Sequence, residues 1–240
     1  MTHDWLEAYP YAHRGLHGSR NGYAENSLSA FKEAIDQGFG FELDVLLTSD
    51  NIAVVMHDPS LTPLTTQEGE VINYKAKELA KIQLVGSSET IPTLKEVLHQ
   101  TNGRKPILIE IKGDQGQYNE ISRAVWKDIE NYKGDVAIMS FYPEIIKYFK
   151  NNHPSVTCGL VATSHNDGSL PSTHYDTSHQ KKFLKGLKID FIAYDIRALP
   201  NMVTKYCRLN NIPVLAWTVC NRNDQEKAHK NSDNIIFEHH

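Results

Sequence analysis

This 240-residue sequence has no excess of positive charge, few cysteines and no long apolar run. Its three cysteines, Cys158, Cys207 and Cys220, form no CxxC pair, which excludes a disulfide framework and a thiolate zinc site. The 25 Lys and Arg residues are outnumbered by 29 Asp and Glu residues, so the net charge is −4. This balance argues against a protein that binds nucleic acid through its phosphates.

No apolar run approaches the ~20 residues that span a bilayer, and the first residues carry no basic region followed by an apolar stretch. These absences predict no stable membrane anchor, no secretory signal and a location in the reducing cytoplasm. Apolar residues make up 40% of the chain and charged residues 22%, as in ordinary globular proteins. The length is close to the ~250 residues of one (β/α)₈ barrel, and we expect one domain over residues 1–240.

Short apolar segments alternate with longer amphipathic stretches along the chain. The apolar segments predict strands at Tyr11–His13, Phe39–Leu47, Ile52–His57, Pro106–Ile111, Val136–Ser140, Thr157–Val161, Phe191–Tyr194, Val214–Val219 and Asn234–Phe237. The amphipathic stretches predict helices at Leu28–Gln37, Leu94–Gln100, Tyr118–Tyr132, Glu144–Asn151, Gln180–Leu187, Pro200–Asn210 and Asn223–Lys230. Asn26 or Ser27 is expected to cap the first of these helices.

This alternation is typical of an α/β protein with a parallel sheet. Counting Phe39–His57 as one strand and its hairpin return, eight strands predict a closed (β/α)₈ TIM barrel, and an open doubly wound sheet is the alternative. Residues 58–88 fit no clean βα unit. They are expected to form a small insertion after the second strand unit, helical around Tyr74–Gln83.

Two carboxylates share one face of the expected strand at 39–47. Side chains alternate along a strand, so Glu42 and Asp44 point one way and their apolar neighbours point the other. Two buried like charges are costly unless something positive lies between them. A solvent-exposed face is the alternative, but a parallel sheet covered on both sides offers little room for one. The pair therefore indicates a functional site.

The strand at 106–111 repeats the pattern, with Glu110 and Lys112 on the face opposite its isoleucines. A plain ion pair between these two residues is the alternative explanation. The C-terminal ends of barrel strands converge, so Glu110 is predicted to meet Glu42 and Asp44 at one point. Three carboxylates form a hard oxygen set, which suits Mg²⁺ or Ca²⁺ and not zinc.

Two histidines and an arginine follow apolar segments, where loops present side chains to a pocket. His13 and Arg14 come after the first strand, and His57 ends the hairpin return. A lone histidine in such a position is more often a structural hydrogen-bond donor. Beside three carboxylates, however, histidine can move protons at neutral pH, and arginine can hold a phosphate or carboxylate through two contacts.

These residues belong to a series of motifs that runs in one order over nearly the whole chain. The motifs are Ala12-His13-Arg14-Gly15, Glu25-Asn26-Ser27, Glu42-Leu43-Asp44-Val45, Val55-Met56-His57-Asp58, Ile109-Glu110-Ile111-Lys112, Ser140-Phe141-Tyr142-Pro143-Glu144 and Trp217-Thr218-Val219. Each motif alone is weakly specific. The ordered set resembles the glycerophosphodiester phosphodiesterase family, whose fold is a (β/α)₈ barrel with a small insertion after the second strand unit.

The resemblance implies hydrolysis of small-molecule glycerophosphodiesters to glycerol 3-phosphate and an alcohol, with one divalent cation. Mg²⁺ and Ca²⁺ are both candidates, and Mn²⁺ is a third. The implied roles are metal ligation for Glu42, Asp44 and Glu110, acid–base catalysis for His13 and His57, phosphate binding for Arg14 and Lys112, and a wall against the glycerol for Trp217. In the family's usual mechanism His57 serves the leaving group and His13 the nucleophile.

The sequence also departs from the family pattern. The loop between Gly15 and Glu25 is longer and carries His17 and Arg20, and Arg20 is expected to reach a second phosphate. Cys220 stands where the family commonly has asparagine, and no segment for an eighth helix follows the last predicted strand.

Two alternative functions are a lysophospholipase D-type activity on lysolipids, which needs an apolar groove, and a phosphodiester-binding protein without catalysis. The two histidines argue against the latter, because binding alone needs no proton transfer.

Overall fold

The computed structural model describes residues 4–18, 22–113, 116–168 and 170–238. Its strands are β1 (Tyr11–Ala12), β2 (Gly40–Leu47), β3 (Ala53–Val55), β4 (Ile107–Ile111), β5 (Val136–Ser140), β6 (Thr157–Ala162), β7 (Phe191–Asp195), β8 (Val214–Val219) and β9 (Asn234–Phe237). Its α-helices are α1 (Trp5–Ala8), α2 (Leu28–Asp36), α3 (Ala76–Leu79), α4 (Leu94–Thr101), α5 (Tyr118–Ile129), α6 (Pro143–Asn152), α7 (Ser172–Tyr175), α8 (Thr177–Leu187), α9 (Met202–Leu209) and α10 (Arg222–Asn231).

Eight parallel strands close into a barrel in the order β1-β2-β4-β5-β6-β7-β8-β9. Closure is complete because β1 pairs with β2 on one side and with β9 on the other. Strand β3 pairs antiparallel with β2 and lies outside the ring. The predicted (β/α)₈ TIM barrel is confirmed. The open doubly wound alternative is wrong, since such a sheet would leave β1 and β9 unpaired with each other.

Alternation along each strand separates two apolar cores. On β4, Ile107, Ile109 and Ile111 face outward and pack in the layer between the strands and the helices. Leu108 faces inward and packs with Phe191, among others, inside the barrel. The inward positions near the C-terminal ends of β2 and β4 are charged instead of apolar. The candidate site lies at this end of the barrel, where the inner apolar core stops.

The short helix α1 covers the N-terminal ends of the strands. The side-chain amide of Asn234, the first residue of β9, donates to the carbonyl oxygens of Leu6 and Tyr9 at 2.7 Å each. The hydroxyl of Tyr11, the first residue of β1, donates to the carbonyl oxygen of Trp5 at 3.3 Å. One end of the barrel is therefore covered, and the C-terminal ends of the strands form its mouth. The sequence pattern predicts no helix at 5–8, because a single turn is too short to show a period.

Several helix boundaries differ from those predicted because polar caps define them. Helix α8 begins at Thr177, before the predicted Gln180, since the Asp176 side chain accepts from the backbone N–H of Ser178 at 2.7 Å. Helix α9 begins at Met202 rather than Pro200, since Asn201 caps it through Val203. Ser27, one of the two predicted caps, caps α2.

Residues 58–88 lie between β3 and α4 and contain one 3₁₀ turn at Val71–Asn73 and the helix α3. The predicted helix at Tyr74–Gln83 is therefore shorter than expected. A separate apolar cluster joins this segment to β2 and β3 through Leu46 and Val54. Within the described residues, no helix is long and apolar enough to cross a membrane.

Candidate active site

Three predicted carboxylates meet at the barrel mouth. Glu42 and Asp44 project from β2 and Glu110 projects from β4, where Asp44 and Glu110 are directly paired in register. One carboxylate oxygen from each residue lies within 4.8 Å of the other two. All three are buried: Glu42 and Asp44 are 1% exposed and Glu110 is 7% exposed.

Lys112, the residue after β4, bridges two of these carboxylates. Its Nζ lies 2.9 Å from Asp44 Oδ1 and 2.7 Å from Glu110 Oε1. Burial would lower the pKa of Lys112, but Asp44 and Glu110 outweigh burial and raise that pKa. Lys112 therefore stays a cation inside the acidic cluster.

Arg14 reaches the same cluster from the loop after β1. Its backbone N–H donates to Glu42 Oε2 at 3.0 Å, and its Nε lies 3.4 Å from Asp44 Oδ2. Its Nη1 donates to Glu25 Oε1 at 2.7 Å. Burial alone would lower the pKa of Arg14, but the three surrounding carboxylates raise it, so the guanidinium stays charged.

The backbone turn after β1 makes these contacts possible. Arg14 has φ 53° and Gly15 has φ 81°, both in the left-handed region. A Cβ on Gly15 would lie 2.8 Å from the backbone carbon and the Cβ of Ala30 in α2. Only glycine fits this close approach, which explains the His-Arg-Gly order.

Asp44 and Glu42 are affected differently by their surroundings. Burial would raise the pKa of Asp44, but Lys112, His57 and Arg14 hold it well below its usual range. The pKa of Glu42 is raised, first by burial and then by the neighbouring carboxylates. Its Oε1 is buried without a hydrogen-bond partner. An unpartnered oxygen beside two further carboxylates fits a hard divalent cation, and the donor set of Glu42, Asp44 and Glu110 is the one that such a cation prefers.

The two predicted histidines line the cavity from the segments after β1 and β3, and each has a carboxylate at Nδ1. His13 Nδ1 lies 2.5 Å from Glu238 Oε1, while its Nε2 lies 3.9 Å from Glu42 Oε2. His57 Nδ1 lies 2.6 Å from Asp58 Oδ1. Each Nδ1 is thus engaged by its carboxylate, which leaves Nε2 as the second ring nitrogen at the cavity.

The cavity at the mouth has a volume of about 150 Å³. Its lining residues are His13, Arg14, Glu42, Asp44, His57, Glu110, Lys112, Met139, Phe141, Val161, Trp217, Thr218 and Ile236. All eight predicted site residues are among them. Trp217 packs edge-to-face on Phe141, with ring centroids 5.7 Å apart, and its indole Nε1 is buried without an acceptor. Acids lie on one side of the cavity and apolar walls on the other.

Sequence reasoning assigned no role to several residues that support the site. Asn26, which was predicted as a possible helix cap, turns away from α2 and exchanges hydrogen bonds with Asp44 at 3.0 and 3.3 Å. Glu25 and Asp58 stand in the quoted motifs, which is the signal that could have identified them. Glu238 lies outside every motif.

The sequence departs from the family pattern at two positions discussed above, Cys220 and Arg20. The residue after Cys220 is an asparagine, Asn221, but its side chain accepts from the backbone N–H of Asp224 and caps α10. The predicted second phosphate contact of Arg20 lies outside the described residues.

A closed parallel barrel with a charged pocket at the C-terminal ends of its strands is the architecture of a barrel enzyme. The model of the Glycerophosphoryl diester phosphodiesterase family matches residues 13–237. The chain belongs to this family and is a phosphodiesterase of it.

Similar proteins agree with this membership. A glycerophosphodiester phosphodiesterase of Caldanaerobacter subterraneus is 31% identical over 230 residues, which cover 91% of this chain and 88% of that protein. Human glycerophosphodiester phosphodiesterase 1 is 29% identical over 181 residues, which cover 69% of this chain and 53% of that protein.

Solved structures share the fold. A phosphodiesterase of Oleispira antarctica, in complex with the product sn-glycerol-3-phosphate, has a TM-score of 0.82 at 21% identity and covers 97% of this chain and 94% of that chain. The glycerophosphodiester phosphodiesterase of Thermotoga maritima has a TM-score of 0.76 at 24% identity and covers 95% and 92%.

Proposed function

We propose that the protein hydrolyses glycerophosphodiesters to glycerol 3-phosphate and an alcohol, with the help of one divalent cation held by Glu42, Asp44 and Glu110. The observation that carries this proposal is the buried carboxylate cluster, in which Glu42 Oε1 has no partner. Family membership supports the reaction, and the glycerol phosphate in the Oleispira relative supports the product.

The cation supplies positive charge against the charge that grows on a phosphoryl group during the reaction. Mg²⁺ and Ca²⁺ suit the all-oxygen ligand set, and Mn²⁺ is a third candidate. The ligands lie on adjacent, hydrogen-bonded strands, which fixes the spacing of their backbones. We propose that the same three residues bind whichever of these ions the protein uses.

Lys112 and Arg14 supply the remaining positive charge. Both are partly buried cations at the edge of the cavity, and both contact Asp44. A phosphodiester that enters the cavity meets these cations in a low-dielectric environment, where their attraction for its oxygens is stronger than in water. Trp217, together with Phe141, forms the apolar wall that we propose lies against the glycerol.

His13 and His57 are the proposed acid–base pair. One imidazole takes a proton from the attacking oxygen, and the other gives a proton to the departing alkoxide. We assign the attacking oxygen to His13 and the leaving group to His57. The carboxylate at each Nδ1 supports a proton-transfer role for both histidines, because a carboxylate there stabilises the imidazolium that forms during proton transfer. The division of the two roles between them follows the resemblance to the family.

The test is hydrolysis of glycerophosphocholine and glycerophosphoethanolamine with added Mg²⁺, Ca²⁺ or Mn²⁺. We expect chelation to abolish turnover, and Glu42→Gln to lower the rate by at least about 10²-fold, as expected when a group that organises transition-state charge is lost. Glu226→Gln, which changes an exposed carboxylate on α10, is the matched control and keeps the wild-type rate. Turnover that survives both chelation and Glu42→Gln contradicts the proposal.

The same assay separates the alternatives. Faster cleavage of a lysolipid than of glycerophosphocholine would favour the lysophospholipase D-type activity. Ligand binding without any product would favour a binding protein. Four statements stay predictions from the sequence. They are a single catalytic domain over residues 1–240 with an insertion at about 58–88, the lack of a nucleic-acid partner, the lack of a stable membrane anchor, and the cytoplasmic location.

A further inference from the structure

A carboxylate just after the last strand of the barrel contacts a histidine just after the first strand. Glu238 directly follows β9, and its Oε1 lies 2.5 Å from Nδ1 of His13, which directly follows β1. The side chains of Glu238 and His13 are 17% and 16% exposed, so the pair is largely shielded from water. We propose that Glu238 is the positioning residue that fixes the tautomer and orientation of His13. This inference rests on the proposed function, in which His13 transfers a proton.

The backbone holds both members of the pair at the seam where the barrel closes. The N–H of His13 donates to the carbonyl oxygen of Phe237 at 2.9 Å. The N–H of Glu238 donates to the carbonyl oxygen of Val219 at 3.0 Å, which ties it to β8. The backbone of each partner is therefore anchored to a neighbouring strand, independently of the contact between the two side chains. A side-chain contact on such a rigid frame has little freedom to rearrange.

The chemistry of imidazole explains what the contact does. A neutral imidazole carries one N–H, and an ionised carboxylate can only accept a hydrogen bond. Glu238 therefore selects the tautomer of His13 with the proton on Nδ1, which leaves the lone pair of Nε2 free to accept a proton. This Nε2 lies on the cavity side, 3.9 Å from Glu42 Oε2. Once Nε2 takes a proton, the negative charge of Glu238 stabilises the resulting imidazolium.

A second histidine, His17, lies near the same carboxylate. His17 Nε2 lies 3.9 Å from Glu238 Oε1, beyond hydrogen-bond distance, and is buried without a hydrogen-bond partner. Burial lowers the pKa of His17, so its neutral form is favoured there. The carboxylate thus lies between two imidazoles and bonds the one that faces the cavity. The other histidine of the site has a more exposed partner, since the Asp58 side chain is 43% exposed.

The experiment compares Glu238→Gln, Glu238→Asp and the control Glu226→Gln in the full chain. Long-range ¹H–¹⁵N spectra of the histidine rings report the tautomer of His13, whose signals are assigned by their loss in His13→Gln. Steady-state kinetics on glycerophosphocholine with Mg²⁺ or Ca²⁺ give kcat and KM. Calorimetric titration with the same ion gives its affinity.

We expect Glu238→Gln to move the proton of His13 from Nδ1 to Nε2, because the side-chain amide can turn its N–H₂ group toward Nδ1. We expect kcat to fall about 10²–10⁴-fold, the range for loss of proton transfer by a positioned side chain, while KM and the ion affinity stay within about threefold. Glu238→Asp keeps the charge, and we expect it to keep the wild-type tautomer and more activity than Glu238→Gln.

Two outcomes overturn the inference. In the first, Glu238→Gln keeps the wild-type tautomer and a kcat within about threefold of the control. In the second, the ion affinity falls together with kcat, which indicates a general structural role. The spectra do not depend on turnover. A wild-type protein that fails to cleave any glycerophosphodiester would therefore contradict the proposed function, while the tautomer of His13 would still decide the role of Glu238.

Discussion

Glu42, Asp44 and Glu110 carry more negative charge than the two cations beside them neutralise. Lys112 and Arg14 hold the pKa of Asp44 low, whereas the pKa of Glu42 is raised by burial and by the other two acids. Repulsion inside the cluster is therefore concentrated at Glu42, the residue whose outer oxygen has no partner. A divalent cation at this point would relieve that repulsion, which supports the proposed metal site.

Lys112 lies where its positive charge offsets part of the negative charge of the cluster. We expect Lys112→Met to destabilise the metal-free protein by about 3–5 kcal/mol, because it removes the lysine that pairs with two buried carboxylates. We also expect Mg²⁺ or Ca²⁺ to raise the melting temperature of this variant more than that of the wild type, since the ion then supplies the missing charge.

Thermal unfolding with and without the ion measures both effects, and Lys77→Met on the exposed surface of α3 is the control. Equal stability of the two variants, or an equal gain from the ion, would show that Lys112 does not neutralise the cluster.

At the scale of elements, the turn between β1 and α2 must hold His13 and Arg14 against the acids of β2. Gly15 allows this turn because it has φ 81° and touches the backbone of α2. We expect Gly15→Ala to destabilise the protein by about 1–3 kcal/mol, because its methyl group would overlap Ala30 and force the turn away from the helix. Urea unfolding measures the loss.

Gly86→Ala is the matched control for this turn. Gly86 also has a positive φ, 74°, but a Cβ there would meet no atom within 4 Å. The difference between the two variants therefore isolates the overlap from the backbone strain that both share. Equal losses for Gly15→Ala and Gly86→Ala would mean that the close packing against α2 contributes nothing.

At the scale of the whole molecule, closure of the barrel brings together residues that are remote in the chain. His13 and Glu238 are 225 positions apart and meet because β1 pairs with β9. The acids of β2 and β4 are separated by the 58–88 segment and meet because those strands pair directly. The site is a consequence of the ring, and no single segment of the chain contains it.

The distinction between local features and those that depend on closure of the barrel explains which parts of the fold and site could be predicted from the sequence. Strands, their order in the chain and the inward faces of Glu42 and Asp44 follow from alternation, which is a local property. The start of α8 depends on one cap at Asp176, and the single turn of α1 is too short to show a period. The role of Glu238 could not be predicted, because its partner is decided by closure of the barrel and not by any neighbouring residue.

The measurement that tests the central claim most directly is anomalous diffraction from crystals of the wild-type protein grown with Mn²⁺. We predict one strong peak between Glu42, Asp44 and Glu110, at roughly 2.0–2.6 Å from an oxygen of each carboxylate, the range for hard cations with oxygen ligands. The peak should disappear in Glu42→Gln crystals. No peak at this position in the wild type, or a peak that persists unchanged in the variant, would contradict the account.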